Sequence, residues 1–196
     1  MTMARPCYGY RLKRPLDMLA AAAALLLLSP LLLLVAVAVW ITSKGPVLFR
    51  QRRLGIHEHP FSIFRFRTMR LDAPDVGPAF TSSGDPRITP LGRLLRMTSL
   101  DELPQLINVL LGDMSLIGPR PYIGFELDDC NAEQRAQRSS VRPGISGLSQ
   151  VSGRSTGTQA ESIRHDLDYV ERCSLALDLR LALCTATAVL ARRGVN

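Results

Sequence analysis

Residues 18–42 carry no charged side chain, and most of the stretch is one apolar run, AAAALLLLSPLLLLVAVAVWI. At about 1.5 Å per residue it is long enough to cross a hydrocarbon core of about 30 Å. It is too long for a signal peptide, and no small-residue cleavage site follows it. Ser29-Pro30 sits in its middle. Proline has no N–H to donate, and its ring clashes with the carbonyl four residues back, at Leu26. The Ser29 hydroxyl is placed to bond a carbonyl of the preceding turn. Both flanks are basic, with Arg11, Lys13 and Arg14 before the run and Lys44, Arg50, Arg52 and Arg53 after it. The positive-inside tendency favours the cytoplasmic side for each end. A helix broken at Ser29-Pro30 that dips in and returns satisfies both flanks, and an ordinary kinked transmembrane helix is the alternative. On physical grounds both stay open.

After Trp40 polar and apolar positions mix, and Gly/Pro turns punctuate the chain at Lys44-Gly45-Pro46, Gly77-Pro78 and Gly84-Asp85-Pro86. Partial alternation predicts short strands at 47–51 and 61–66, joined by a turn around 55–60. Thr89-Pro90 reads as an N-cap followed by proline in the first turn, opening a helix over 91–96. Leu103, Leu106, Ile107, Leu110 and Leu111 have amphipathic helical spacing. Pro104 places the start of that helix close to Asp101, and Gly112 ends it. Residues 160–173 form a further amphipathic helix. Residues 175–190 form a mostly apolar one, whose Asp178 and Arg180 argue against a second span. Such helices lie in a bilayer interface or pack into a core. The expected class is α+β: a membrane hairpin over 1–43 and, over 44–196, a small, mostly helical domain with a β-hairpin and interfacial helices.

Charge narrows the choice of partner. Among 196 residues, 24 Lys+Arg stand against 17 Asp+Glu, a net charge of +7. Such a balance suits nucleic acid, an anionic bilayer or phosphorylated substrates. With 6% aromatic residues and no basic helix or stacking platform, nucleic acid is not an expected partner. Cys7, Cys130, Cys173 and Cys184 show no paired spacing and read as free thiols of a reducing compartment.

The candidate chemistry lies at Asp101-Glu102. Ser99-x-x-Glu102 fits a capping box, with acids favoured by the helix dipole. The functional reading is that exposed backbone N–H groups and a bound cation keep Asp101 ionised for attack on phosphorus, through an acyl phosphate. Arg93 and Arg96 precede the acids, and Gly118-Pro119-Arg120-Pro121 follows, its two prolines holding an arginine suited to phosphate oxygens. Arg65, Arg67 and Arg70 form another basic cluster. Glycine turns around Arg142-Pro143-Gly144 and Val151-Ser152-Gly153-Arg154 allow close backbone approach. His57-Glu58-His59 reads as a solvated turn, since no third metal ligand lies nearby.

Together these motifs resemble the bacterial sugar transferases, the small monotopic phosphoglycosyl transferases. The likeness runs from Lys13-Arg14-Pro15-Leu16-Asp17 through Ser29-Pro30, Gly45-Pro46-Val47, Gln51-x-Arg53-x-Gly55 and Phe66-Arg67-Thr68-Met69. It continues in Asp85-Pro86-Arg87-Ile88-Thr89, Gly92-Arg93-x-Leu95-Arg96 and the long block 98–121, and ends in Arg142-Pro143-Gly144-Ile145 and Gln150-Val151-x-Gly153-Arg154.

The resemblance implies a two-step transfer of a sugar-1-phosphate from a UDP-sugar to polyprenyl (undecaprenyl) phosphate, releasing UMP. Asp101 would be the nucleophile and would hold Mg²⁺. Glu102 would complete the acidic pair, in metal positioning or proton transfer. Arg120 would bind phosphate, aided by Arg96, Arg67 and Arg65. Arg142, Gln150 and Arg154 would meet the nucleotide sugar, and Ser29-Pro30 would be the break of a re-entrant helix. The implied location is the cytoplasmic face of the bacterial inner membrane, among membrane lipids, in the first membrane step of glycan assembly. The chain departs from the family's frequent residues at Arg65 (lysine), Leu148-Ser149 (Trp-Ala) and Ser152 (Asn).

Overall fold

The computed structural model describes residues 12–73, 84–127, 130–152 and 158–190. One helix, α1 (Lys13–Thr42), runs the length of the apolar segment and carries Pro30 inside it. Its 30 residues span about 45 Å, and by length and composition it is apolar enough to cross a membrane. Pro30 removes the N–H that would have bonded the Leu26 carbonyl. The Ser29 hydroxyl donates to that same carbonyl at 2.8 Å, as the sequence anticipates.

The two ends of α1 dock on different parts of one globular body. Ala21, Ala24 and Leu25 pack with Ile63, Leu106, Val109 and Met114. Leu32, Val35, Ala36 and Val39 pack with Phe66 and Leu95. Between and opposite these contacts, Leu26 and Leu27 are exposed, as are Leu33 and Leu34.

The hairpin follows: β1 (Leu48–Leu54) pairs antiparallel with β2 (Pro60–Phe66), Leu48 opposite Phe66 and Leu54 opposite Pro60. Its turn is the short 3-10 segment Ile56–Glu58, in which His57 and Glu58 take positive φ. The histidines therefore stand in a turn. The turn docks on the body through Glu58, whose carboxylate accepts from Arg135 Nε at 2.8 Å.

Helix α2 (Pro90–Met97) begins as the sequence predicts, with Thr89 Oγ1 accepting the Gly92 amide at 2.9 Å. A Cβ at Gly92 would stand 2.0 Å from the Thr68 carbonyl oxygen, so only glycine lets α2 lie this close to the strand exit. Next come a 3-10 turn, Leu100–Glu102, and helix α3 (Gln105–Leu111). Gly112 closes α3 in the left-handed conformation, φ 100°, which a β-carbon would disfavour.

Asn108 fastens α3 to the hairpin. Fully buried, it accepts the Phe64 amide at 3.0 Å and donates to the Ser62 carbonyl at 2.8 Å. Its side chain thus pairs with two backbone groups of β2 as a neighbouring strand would.

A parallel pair, β3 (Ser115–Ile117) and β4 (Gly144–Ser146), escaped the sequence pattern because three-residue strands show no alternation. Helices α4 (Ala132–Arg138) and α5 (Leu148–Ser152) are short additions around it. Helices α6 (Gln159–Arg172) and α7 (Leu175–Leu190) match the expected segments. On α7, Asp178 and Leu181 are buried, whereas Leu175, Leu179 and Leu183 are exposed on the other side. Lys13 of α1 reaches the Asp178 carboxylate at 2.5 Å, and Tyr169 donates to the same group at 2.7 Å. The reading of the cysteines as free thiols fails at Cys173, which is disulfide-bonded; Cys184 is a free thiol. Their spacing carried no sign of this. The α+β class with one long apolar N-terminal helix is thus what the chain adopts.

Candidate active site

Asp101 and Glu102 occupy the 3-10 turn that links α2 to α3. Ser99 turns the chain into it with left-handed backbone angles, φ 56° and ψ 17°. For a residue with a side chain this conformation costs about 1 kcal/mol or more. The Ser99 side chain makes no capping bond, so the capping box read from Ser99-x-x-Glu102 does not form. Glu102 instead reaches across to β2 and pairs with Arg65 Nη2 at 2.7 Å.

Asp101 is only 7% exposed. Burial pushes its carboxyl up to about 6, the neighbouring Glu102 adds to the rise, and Arg65 and Arg96 act against it. Of the backbone N–H groups and bound cation expected to keep this carboxylate ionised, the backbone alone does not do so. The α-helix proper starts at Gln105, past the acids, and desolvation outweighs the backbone's help.

Arg96, in the last turn of α2, donates through Nε to Thr68 Oγ1 at 2.9 Å. Burial lowers its pKa, and the charge of Asp101 restores part of the loss. Asp101, Glu102, Arg65 and Arg96 thus form one electrostatic group. Several buried N–H donors of these motifs have no hydrogen-bond partner among the described residues: Arg65 Nε, Arg67 Nε and Nη1, and Gln105 Nε2. Unpartnered buried donors are costly, and this set, which includes Arg65 of the acid-bearing group, is donor chemistry suited to an anion.

Arg67 is attached through its remaining nitrogen. Its Nη2 donates to the Ser43 carbonyl at 2.5 Å, tying the end of α1 to β2. Arg120 is exposed on an otherwise buried stretch from Ile117 to Tyr122. Arg53, which the sequence reading placed in a basic flank and in the Gln51-x-Arg53-x-Gly55 motif without a role, connects the hairpin to that stretch. Burial lowers its pKa to about 10; Glu126 and Glu102 oppose this, and Arg65 and Arg120 reinforce it. Its guanidinium bonds Gln51 at 2.7 Å, the Pro121 carbonyl at 3.1 Å and Glu126 at 3.2 Å. The Gln51-x-Arg53 spacing was the available signal.

Of the nucleotide-sugar candidates, Arg142 is bonded at the far end of α3 from the acids. Arg142 donates to the Gly112 carbonyl at 2.8 Å, beyond the C-terminal end of α3, where Arg14 also bonds the Val109 and Leu110 carbonyls. The acids lie before the other end of this helix. Gln150 sits in α5 and accepts from Ser149 Oγ at 3.0 Å. Arg154 lies outside the described residues.

Among the described residues no group of three or more His, Cys, Asp or Glu converges. Zinc-type cages need such a group. Magnesium does not: it binds through one or two carboxylates, with waters and substrate phosphates completing its shell. Two adjacent acids, one of them desolvated, fit that requirement.

Comparison with known proteins identifies the family. The family model described as bacterial sugar transferase matches residues 8–192. A UDP-glucose:undecaprenyl-phosphate glucose-1-phosphate transferase of Caulobacter vibrioides is 47% identical over 187 residues, covering 91% of this chain and 69% of the relative. An exopolysaccharide production protein, PSS, of Rhizobium leguminosarum is 42% identical, covering 92% of this chain and 96% of the relative. A UDP-N-acetylgalactosamine-undecaprenyl-phosphate N-acetylgalactosaminephosphotransferase of Aeromonas hydrophila is 40% identical, covering 97% of this chain and 46% of the relative. A match of this extent, over a chain that presents a buried carboxyl among arginines, places it plainly: it is a transferase and belongs to the bacterial sugar transferase family.

Proposed function

We propose that the chain transfers a sugar-1-phosphate from a UDP-sugar to undecaprenyl phosphate through a covalent intermediate on Asp101. The observation that carries this reading is a desolvated carboxyl with two arginines at its side and unpartnered N–H donors on the neighbouring motifs. A carboxylate out of water is a better nucleophile, and the arginines supply the charge that a phosphoryl group needs in flight.

In the first step an Asp101 carboxylate oxygen bonds to the β-phosphorus of the donor. The bond from that phosphorus to the bridging oxygen breaks, and UMP leaves with the electron pair. In the second step a phosphate oxygen of the polyprenyl acceptor attacks the same phosphorus. The acyl phosphate bond breaks, Asp101 returns as carboxylate, and the polyprenyl diphosphate sugar departs. Arg65 and Arg96 hold the equatorial oxygens in both steps, and Arg120 holds the diphosphate. Mg²⁺, bound by Asp101 with help from Glu102, would neutralise charge on the diphosphate and on the departing UMP.

The site would work at the cytoplasmic face of the inner membrane, with α1 as a re-entrant element. Both ends of α1 dock on the polar domain, and a straight span would draw that domain into hydrocarbon. A helix that enters and leaves on one side, yielding at Ser29-Pro30, keeps the domain in water and the exposed leucines in lipid. Two of the relatives are named for UDP-glucose and UDP-N-acetylgalactosamine, so UDP-hexoses are the donor class to test.

The test is UMP release from UDP-sugar, Mg²⁺ and undecaprenyl phosphate, together with mass analysis of protein quenched after the donor alone. A phospho-sugar adduct on the Asp101 peptide is expected. Normal UMP release by a folded Asp101→Asn enzyme would refute the nucleophile.

A further inference from the structure

The structure buries a second ion pair that the reaction above does not use. Arg138 ends α4 and Asp166 lies in α6; they are 6% and 0% exposed. Arg138 donates through Nε and Nη2 to Asp166 Oδ2 at 2.9 and 2.8 Å. An apolar pair of similar size would often hold such a place equally well, so a buried ion pair is weak evidence of a stabilising role.

The remaining bonds of the pair converge on one peptide. Arg138 Nη2 also donates to the Arg120 carbonyl. The backbone N–H of Arg120 faces Asp166, whose carboxylate accepts the Ser149 hydroxyl at 2.7 Å. The Tyr122 ring covers the Arg138 guanidinium, 4.3 Å from its centroid. The pair therefore grips Arg120 from both sides of its backbone.

The neighbouring carbonyls are bonded as well. Pro119 accepts from the Gly144 amide at 2.8 Å and Tyr122 from the Leu54 amide at 2.9 Å. Pro121 accepts from Arg53 at 3.1 Å. Four consecutive carbonyls, from residue 119 to 122, are thus fixed by three different parts of the fold, β4, α4 and β1. Only the Arg120 side chain of this stretch is exposed.

We propose that Arg138 and Asp166 are positioning residues: their ion pair holds the Arg120 peptide so that its guanidinium is aimed at the donor diphosphate before the donor arrives. This rests on the reading of Arg120 as a phosphate ligand. A guanidinium on an immobile stem loses little freedom on binding, and that is where the pair acts.

The test is a double-mutant cycle between Arg138→Lys and Arg120→Ala, with kcat/KM for the UDP-sugar and Tm both measured in detergent or nanodiscs. Lysine keeps the charge opposite Asp166 but lacks the fork that reaches both Asp166 and the Arg120 carbonyl. In the parent enzyme Arg138→Lys is expected to lower kcat/KM about tenfold, and in the Arg120→Ala background less than about twofold. Equal losses in both backgrounds would make the pair a structural element and overturn the positioning role alone. Wild-type kcat/KM in Arg120→Ala would remove the phosphate role of Arg120 and the proposal with it. Should Arg138→Lys fail to fold, Arg138→Met combined with Asp166→Leu takes its place, with the same two outcomes.

Discussion

Arg65 of β2 and Glu102 of the 3-10 turn meet at 2.7 Å, Nη2 to Oε1, so the residue next to Asp101 partly neutralises an arginine that would otherwise act on Asp101. Glu102 raises the Asp101 carboxyl and Arg65 lowers it. In Glu102→Gln both influences change in one direction: a negative charge goes, and Arg65 is released towards Asp101. The attacking group must be ionised, so UMP release falls as pH drops through its pKa. The acid limb of single-turnover UMP release should therefore lie lower in Glu102→Gln than in the parent. A pH–rate profile from 4.5 to 8 checks this; an unmoved limb would separate Glu102 from the ionisation of Asp101.

Asp101 should weaken the fold it serves. A carboxyl raised from the ordinary 3.8 to about 6 is disfavoured as a carboxylate by roughly 3 kcal/mol at neutral pH. Because the folded state holds the proton more tightly, this loss is absent below the unfolded pKa and grows as pH rises to about 6. Asp101→Asn should accordingly melt a few degrees higher than the parent at pH 7.5, with little difference at pH 4. Thermal denaturation in nanodiscs at the two pH values measures it.

Magnesium should relieve the same strain. A cation that binds the folded acidic pair and not the unfolded chain raises Tm in proportion to the logarithm of its concentration once above its Kd. Millimolar Mg²⁺ without donor should raise the parent's Tm and leave that of Asp101→Asn nearly unchanged. An equal rise in both proteins would place the ion elsewhere.

Asn108→Ala should loosen the acidic turn from a distance. The change leaves the Phe64 amide and the Ser62 carbonyl without their buried partner, at a cost of about 2–4 kcal/mol. A drop in Tm of roughly 5–10 °C is expected, with loss of turnover steeper than the loss of folded protein, because α3 carries the turn against β2. Hydrogen exchange at the Phe64 amide would report the detachment directly.

The long periodic segments were legible in the sequence, and so were the punctuated ones. Thr89-Pro90 and Gly112 mark helix ends whatever surrounds them, and 160–173 and 175–190 carry enough turns for a period to show. The acidic pair and its arginines were also legible, as charges clustered around one motif. What the sequence could not display was partnership at long range. Ser99 and Glu102 have capping-box spacing, yet Glu102 turns to Arg65, thirty-seven positions earlier in the chain. Arg142 stands in a glycine turn suited to a ligand, yet it bonds the end of α3. Arg138 and Asp166 look like ordinary surface positions on polar helices until α4 and α6 close over them.

The long apolar helix α1 is also a wall of the body that carries the acidic pair. Ala21 closes one face of the core, Val35 and Val39 close another, and Arg67 is tied to the chain just after them. Cutting at residue 43 would therefore not release a water-soluble enzyme; it would uncover Ile63, Phe66, Leu95 and Leu106 together and collapse the hairpin that carries Arg65. If α1 enters the bilayer as proposed, anchorage and catalytic architecture are one inheritance, and an active preparation needs detergent or lipid.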